Sequence, residues 1–86
     1  MAELRLPRVL EPVARSGLTH QVTGSTLAEA LGQLFDREPA LRAHLLDEGG
    51  SIRHHVVVFV DGTRADLDAT VGAASEIRVL QAVSGG

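Results

Sequence analysis

Residues 26–35 read Thr26-Leu27-Ala28-Glu29-Ala30-Leu31-Gly32-Gln33-Leu34-Phe35, and this stretch decides the fold of the 86-residue chain. Its apolar residues recur at helical spacing, so they form one stripe of a helix that faces a core. Thr26 is suited to cap the N-terminus of this helix, and Glu29 three residues later completes a capping box. Pro39 cannot sit inside the helix, which predicts an end near Arg37.

Two short strands are predicted before this helix. Leu4 and Leu6 are two residues apart, which is the spacing of neighbouring side chains on one face of a strand. A strand is therefore predicted over residues 2–6, and Pro7 suits its end. Gly17 fits a turn, and residues 19–23 alternate well enough to pair back as a second strand. The chain therefore opens with a hairpin.

After the helix, Pro39 suits the first position of a short second helix. The apolar residues of that second helix are Leu41, Leu45 and Leu46. Residues 56–60, Val-Val-Val-Phe-Val, form the clearest strand of the sequence. Because this strand is apolar on both faces, it is either an interior strand or one whose second face meets a partner.

The rest of the chain predicts a second turn and two further strands. Asp61-Gly62 is a strong tight-turn signal, and a short strand near residues 64–66 returns from it. Val71 lies in a turn-rich stretch and is expected to plug the core. The last strand is predicted over residues 76–83.

The order of elements is strand, strand, helix, short helix and three strands. This order predicts an α+β domain of the β-grasp type, in which a mixed sheet of four to five strands packs on one main helix. The first and last strands then pair in parallel at the centre. We expect residues 1–83 to form this domain and residues 84–86 to form a flexible C-terminal Gly-Gly tail.

Composition narrows the classes of function. The net charge is -3, which argues against a nucleic-acid partner, and the absence of cysteine excludes disulfides and thiolate chemistry. All eight basic residues are arginine, so lysine-linked chains of this protein on itself are chemically impossible. No signal peptide or membrane-spanning run is evident, so the expected location is the cytoplasm, with no membrane partner.

The last predicted strand changes character before it ends. Charged and apolar residues alternate over residues 76–79, which predicts that the apolar face is buried. If the strand continues, the apolar Leu80 falls on the outward face and the polar Gln81 on the inward face. Two interpretations stay open. Either the strand has already ended at this point, or Leu80 and Val83 form an exposed apolar patch that docks on a partner.

The sequence closes on Ser84-Gly85-Gly86. Glycine has no Cβ, so a Gly-Gly end is narrow, unbranched and free in its backbone angles. Such an end suits passage through a narrow channel and presentation of a bare carboxylate to another protein's active site. Gly86 is therefore the candidate reactive residue, with Gly85 and Ser84 as its tail.

Four stretches together resemble the MoaD/ThiS/CysO family of ubiquitin-like sulfur carriers, and the CysO-type branch above all. They are the ending Leu80-Gln81-Ala82-Val83-Ser84-Gly85-Gly86, the proline-spaced opening Leu6-Pro7-Arg8-Val9-Leu10-Glu11-Pro12, the helix start Thr26-Leu27, and Val57-Val58-Phe59-Val60-Asp61-Gly62. The resemblance extends over nearly the whole chain. This family often has proline where this chain has Gln81.

The resemblance implies a specific chemistry. A partner adenylyltransferase, related to ubiquitin-activating enzymes, uses ATP and magnesium to adenylate the Gly86 carboxylate, and a sulfur donor then leaves a thiocarboxylate. A second enzyme takes this sulfur into cysteine or a thio-containing metabolite. The carrier is not an enzyme, binds no cofactor and contributes no catalytic side chain. Leu80, Val83 and Gln81 are the predicted partner-docking residues.

Four other functions stay open at this point. The chain is alternatively the small subunit of a molybdopterin synthase, a thiamin-type sulfur carrier, a ubiquitin-like modifier conjugated through Gly86, or a β-grasp module that acts through binding alone. Other constellations are weak. His54 and His55 are neighbours and point to opposite faces of a strand, so no metal site is predicted, and both Phe35 and Phe59 are assigned to the core.

Overall fold

The computed structural model describes residues 1–81 and confirms the predicted order of elements. The strands and helices, with one short 3₁₀ turn at Arg8–Leu10, are β1 (Ala2–Arg5), β2 (Thr19–Val22), α1 (Leu27–Arg37), α2 (Ala40–Leu45), β3 (Val56–Val60), β4 (Thr63–Arg64) and β5 (Glu76–Gln81).

The start of α1 is fixed by side-chain hydrogen bonds that the sequence largely predicted. The Oγ1 of Thr26 accepts from the backbone N–H of Glu29 at 3.3 Å. The Glu29 carboxylate reaches back one residue further than a capping box requires, and accepts from the N–H of Ser25 at 2.7 Å and from its Oγ at 2.8 Å. These bonds, the backbone N–H of Ser25 first, hold the pKa of Glu29 below its ordinary value.

The five strands form one mixed sheet in the order β2-β1-β5-β3-β4. β1 and β5 pair in parallel, as predicted for the first and last strands, and all other neighbours are antiparallel. α1 covers one face of the sheet through Leu27, Leu31 and Leu34, which are fully buried. The domain is therefore a two-layer ubiquitin-like β-grasp.

The core lies between α1 and the sheet. The strands contribute buried residues at every second position, among them Leu4, Val58, Ile77 and Val79. Val71, the predicted core plug, is buried, and its N–H donates to the carbonyl of Ser25 at 3.0 Å. The stretch between β4 and β5 is thereby fastened to the start of α1.

The fourth strand is shorter and earlier than predicted. It comprises Thr63–Arg64 rather than residues 64–66. The reason is the turn, because Asp61 and Gly62 both have positive φ (51° and 83°) and form a two-residue connection that sets Thr63 directly opposite Val60. The pairing of β4 with β3 ends after one more hydrogen bond, which the Ala65 N–H donates to the Val58 carbonyl.

The other boundaries differ by at most one residue. β1 and β2 each end one residue earlier than predicted, and Pro39 stands just before α2 rather than at its first position. The last strand is described as far as Gln81. The predicted end of the domain at residue 83 and the predicted tail lie outside the described residues and stay predictions.

Candidate partner-docking surface

Two of the predicted site residues lie within the described part of the chain. Leu80 and Gln81 are the last two residues of β5, the strand that leads to the predicted tail. Val83, Ser84 and the glycines of the predicted thiocarboxylate tail, Gly85 and Gly86, lie outside the described residues.

Leu80 is an exposed strand residue. The sequence left open whether the strand had ended, and the structure shows that β5 continues, since Leu80 pairs with Val57 and Gln81 pairs with Val56. Leu80 is 40% exposed because it points to the sheet face away from α1. Gln81 is half-buried at the edge of the face that α1 covers.

Phe59 was assigned to the core, and this prediction was wrong. Phe59 pairs with Arg78 of β5, and both side chains lie on the face away from α1, where Phe59 is half-buried. One helical layer covers only one face of a sheet, so the second apolar face of β3 is left beside Leu80. The apolar run over residues 56–60 was the signal for this surface. Phe35, by contrast, packs against the core as expected.

A cleft of about 390 Å³ opens on this face. Phe59 and Leu80 are its apolar residues on this face, Ile77 lines it from the core, and charged side chains from β1 and β5 lie beside them. Its lining residues are Glu3, Arg5, Phe59, Gly62, Glu76, Ile77, Arg78 and Leu80. We refer to this sheet surface, lined by these residues together with Val57 and Arg64, as the open face.

The charges of the open face are exposed, so they contribute little to stability. Arg5 Nε lies 3.3 Å from Glu3 Oε2, and the two side chains are 55% and 30% exposed. An exposed pair of this kind stabilises a fold by roughly 0–1 kcal/mol at most. The charged side chains of the open face are therefore available to a partner.

Asp61 organises one end of the cleft. Its carboxylate accepts from the backbone N–H of Glu76 at 2.9 Å and from the Oγ of Ser75 at 2.8 Å. These two bonds, the Glu76 N–H first, hold the pKa of Asp61 below its ordinary value. Asp61 is thus occupied in fastening the β3–β4 turn to the start of β5.

The open face has the character of a binding surface. Exposed apolar side chains next to charged ones, as found here, are typical of protein–protein interfaces. Within residues 1–81, no three His, Asp or Glu side chains come together in a way that would hold a metal ion. In the same part of the chain, no helix is both long and apolar enough to cross a bilayer.

Comparison with solved structures finds small carrier and modifier proteins. The chain is 30% identical to SAMP1 from Haloferax volcanii, with a TM-score of 0.86, and the match covers 99% of this chain and 98% of that one. The Amycolatopsis orientalis BexX/CysO complex matches at 21% identity with full coverage of both chains and a TM-score of 0.89. Mycobacterium tuberculosis CysO matches at 18% identity, with 96% and 100% coverage and a TM-score of 0.87.

The two CysO structures support the fold, whereas the match to SAMP1 is high enough in identity and coverage to show the family. No curated protein matches the sequence. A family model described as bacteriophage lambda tail assembly protein I matches residues 2–86. The chain therefore belongs to the MoaD/ThiS/CysO family of ubiquitin-like sulfur carriers and, by its family-model match, to the group described as bacteriophage lambda tail assembly protein I.

Proposed function

We propose that this protein is a sulfur carrier whose working group is the carboxylate of Gly86. The observation that carries the proposal is the position of Leu80, an exposed apolar residue at the end of a central strand, six residues before Gly86. Six residues span at most about 20 Å when extended. A partner that grips the open face at Leu80 is therefore within reach of the Gly86 carboxylate.

The chemistry begins with a carboxylate, which has no good leaving group. A partner adenylyltransferase joins the Gly86 carboxylate to the α-phosphate of ATP, with magnesium, and pyrophosphate leaves. A sulfide equivalent then attacks the carbonyl carbon, the bond to the AMP oxygen breaks, and a thiocarboxylate results. The carrier contributes the acyl group and the docking surface, and the partner contributes the catalytic groups and the metal.

Leu80 and Gln81 are proposed to position the chain on the adenylyltransferase, with Val83 extending the contact. A BexX/CysO complex exists for a protein of the same fold, which supports a partner enzyme of some kind. The final acceptor is proposed to be an enzyme that makes cysteine or a thio-containing metabolite, and a molybdopterin synthase is the alternative. Because activation consumes ATP, the proposal places the protein in the cytoplasm.

Intact-mass spectrometry after incubation with a candidate adenylyltransferase, ATP, magnesium and sulfide tests the proposal. We expect a mass gain equal to the exchange of one oxygen for sulfur. The gain should be absent without ATP and absent in a variant that lacks Gly85 and Gly86. Circular dichroism of that variant serves as the folding control. The intact mass in the same spectrum also reports which residue is the last of the chain.

A protein-modifier role is the second candidate, favoured by the 30% identity to a small archaeal modifier protein. Both roles begin with adenylation of Gly86, but a modifier ends in an isopeptide bond to a lysine of another protein. A denaturing blot for the tagged chain in cells separates them, since conjugates appear as larger species that the Gly85–Gly86 deletion removes. This chain has no lysine, so lysine-linked species are conjugates of other proteins.

The family description as a tail assembly protein suggests a third role that depends on binding alone. In that case the Gly85–Gly86 deletion retains full function, and the active adenylyltransferase adds no sulfur to the intact chain. The two results together would contradict the carrier proposal.

A further inference from the structure

The charged residues of the open face are sorted into rows across the sheet. In the parallel register of β1 and β5, Glu3 stands opposite Glu76, and Arg5 stands opposite Arg78. The antiparallel registers continue the second row, because Arg78 pairs with Phe59 and Phe59 pairs with Arg64. We call Arg5, Arg78 and Arg64 the arginine row, and Glu3 and Glu76 the glutamate row.

This arrangement does not favour folding. Like charges directly opposite each other on neighbouring strands repel, whereas opposite charges attract. β1 and β5 carry two such like-charge pairs in succession. If Glu76 and Arg78 exchanged places, both like-charge pairs would become opposite-charge pairs, and the composition would not change. Features that oppose local stability are expected at functional sites.

The arginine row includes a guanidinium that forms no ion pair within the described residues. Within residues 1–81, the ion pair of the open face joins Arg5 to Glu3, and no carboxylate lies within ion-pair distance of Arg78. Phe59 lies in the row between Arg78 and Arg64, with Leu80 on the next outward position of β5. A guanidinium presents a planar fork of donors that matches carboxylates.

The order of the rows indicates which class of macromolecule can bind the open face. From one end of the sheet to the other, the open face is acidic, then basic, then apolar at Leu80 and Val57. A nucleic acid is repelled by the glutamate row. A folded protein surface with carboxylates opposite the arginine row, a cation opposite the glutamate row and an apolar residue opposite Leu80 matches all three bands.

We propose that the arginine row is the specificity element of this carrier, and that it docks an acidic strip on the partner that adenylates Gly86. This inference rests on the proposed function and names the chemistry of its partner. The rows fix the orientation of docking along β5, because a partner turned end for end would set its carboxylates against Glu3 and Glu76. The correct orientation sets Leu80, next to the last residue of β5, on the apolar side of the interface.

The double exchange Glu76→Arg/Arg78→Glu tests the inference. It preserves net charge and composition, and converts two like-charge pairs into two opposite-charge pairs. We expect its unfolding temperature to rise by a few degrees, while KM for the carrier in the adenylation reaction rises about tenfold and kcat stays unchanged. The wild-type KM should increase with sodium chloride, and the variant should lose most of that dependence.

Two further variants keep the test interpretable. Asp36→Arg/Arg37→Asp makes the same exchange at exposed positions of α1, and we expect no change in KM. Arg78→Gln removes one charge without adding a repulsive one, and we expect a KM increase of about threefold. At saturating concentration, each variant should still take up one sulfur by intact mass, which shows that the tail chemistry is intact.

Other results overturn the inference. An unchanged KM for the Glu76→Arg/Arg78→Glu variant, with wild type active, rejects the arginine row and leaves the carrier proposal standing. A marked loss of stability in this variant would show instead that the two rows stabilise the fold. Sedimentation that shows a wild-type dimer dissolved by the exchange assigns the open face to a second copy of the chain. Failure of the wild type with a demonstrably active adenylyltransferase rejects both proposals.

Discussion

Asp61 and Glu76 are joined by two hydrogen bonds that run in opposite directions. The Asp61 carboxylate accepts from the Glu76 N–H at 2.9 Å, and the Asp61 N–H donates to the Glu76 carbonyl at 2.8 Å. Ser75 adds a third bond from its hydroxyl to the same carboxylate, and itself accepts from the Gly72 N–H. The tight turn after β3 is therefore locked to the first residue of β5.

This lock predicts an acid-sensitive fold. The pKa of Asp61 in the folded state lies below its ordinary value of 3.8, chiefly because of the Glu76 N–H and then the Ser75 hydroxyl. The stabilisation is therefore complete above the unfolded-state pKa and is lost as pH falls through the folded-state pKa. We expect the unfolding temperature, measured by circular dichroism, to fall steeply below about pH 4.

Asp61→Asn isolates the charge, because asparagine tolerates the positive φ of this position. The variant should unfold at a lower temperature at neutral pH and show a flatter acid profile. Asp66→Asn is the matched control and should follow the wild type, because the exposed Asp66 carboxylate accepts no hydrogen bond from any of residues 1–81. Identical acid profiles for Asp61→Asn and wild type would assign the sensitivity to other carboxylates.

Glu38 makes a similar connection at the other end of the domain. It caps the C-terminus of α1, is only 6% exposed, and accepts from both the hydroxyl and the backbone N–H of Ser16. The Ser16 hydroxyl first, and then its N–H, hold the pKa of Glu38 below its ordinary value. The loop that follows β1 is thereby tied to the helix layer.

Glu38→Gln should lower the unfolding temperature at neutral pH, because the short charge-assisted bonds to Ser16 become ordinary ones. The difference from wild type should vanish as pH falls through the folded-state pKa of Glu38, where the wild-type side chain also becomes neutral. Asp36→Asn, an exposed site two residues earlier, serves as the control. A difference that persists in acid would show that packing rather than charge is responsible.

The sequence predicted the elements whose determinants are local. The limits of α1 follow from the cap at Thr26 and the proline after Glu38, and β3 follows from its own apolar run. The exposure of Leu80 was readable from strand parity. Phe59 was misplaced because parity alone does not say which face of a sheet receives the helix.

Features that depend on register could not be predicted. Ser16 and Glu38 are 22 residues apart, and no local pattern indicates that they meet. The arginine row exists only through the pairing of four strands, so its members look like ordinary solvated charges in the sequence. The start of β4 depended on the two positive φ angles of the Asp61-Gly62 turn.

Substitution of Gly24 is expected to destabilise the fold, since Gly24 combines a positive φ of 149° with a close approach to α1. A Cβ built there lies 2.8 Å from the Glu29 Cβ and 2.9 Å from the Ala30 nitrogen. Gly24→Ala should cost about 1–3 kcal/mol in the free energy of unfolding. Gly32 lies within α1 with nothing near its missing Cβ, so Gly32→Ala should stabilise by about 0.5–1 kcal/mol.

Urea denaturation of both glycine variants checks this prediction, because a linear fit gives the free energy of unfolding directly. Opposite signs are the expected result. A Gly24→Ala variant as stable as wild type would mean that the loop before α1 shifts without cost.

Comparison of Leu80 with its neighbour Val79 distinguishes a proposed role in docking from a role in folding. Val79 is fully buried under α1, whereas Leu80 is 40% exposed on the open face. Val79→Ala should therefore cost about 2 kcal/mol of stability and, in the folded fraction, leave KM for the carrier unchanged. Leu80→Ser should change stability by no more than about 0.5 kcal/mol.

The effect of Leu80→Ser should instead fall on the partner. We expect the loss of its apolar contact to weaken binding by about 1 kcal/mol, which corresponds to about a fivefold rise in KM. Thermal unfolding and adenylation kinetics on the same preparations measure both quantities. If Leu80→Ser destabilises the fold as much as Val79→Ala and leaves KM unchanged, Leu80 belongs to the core and the docking surface lies elsewhere. If the two variants show opposite profiles, the outward and inward faces of β5 have separate tasks, binding on one side and folding on the other.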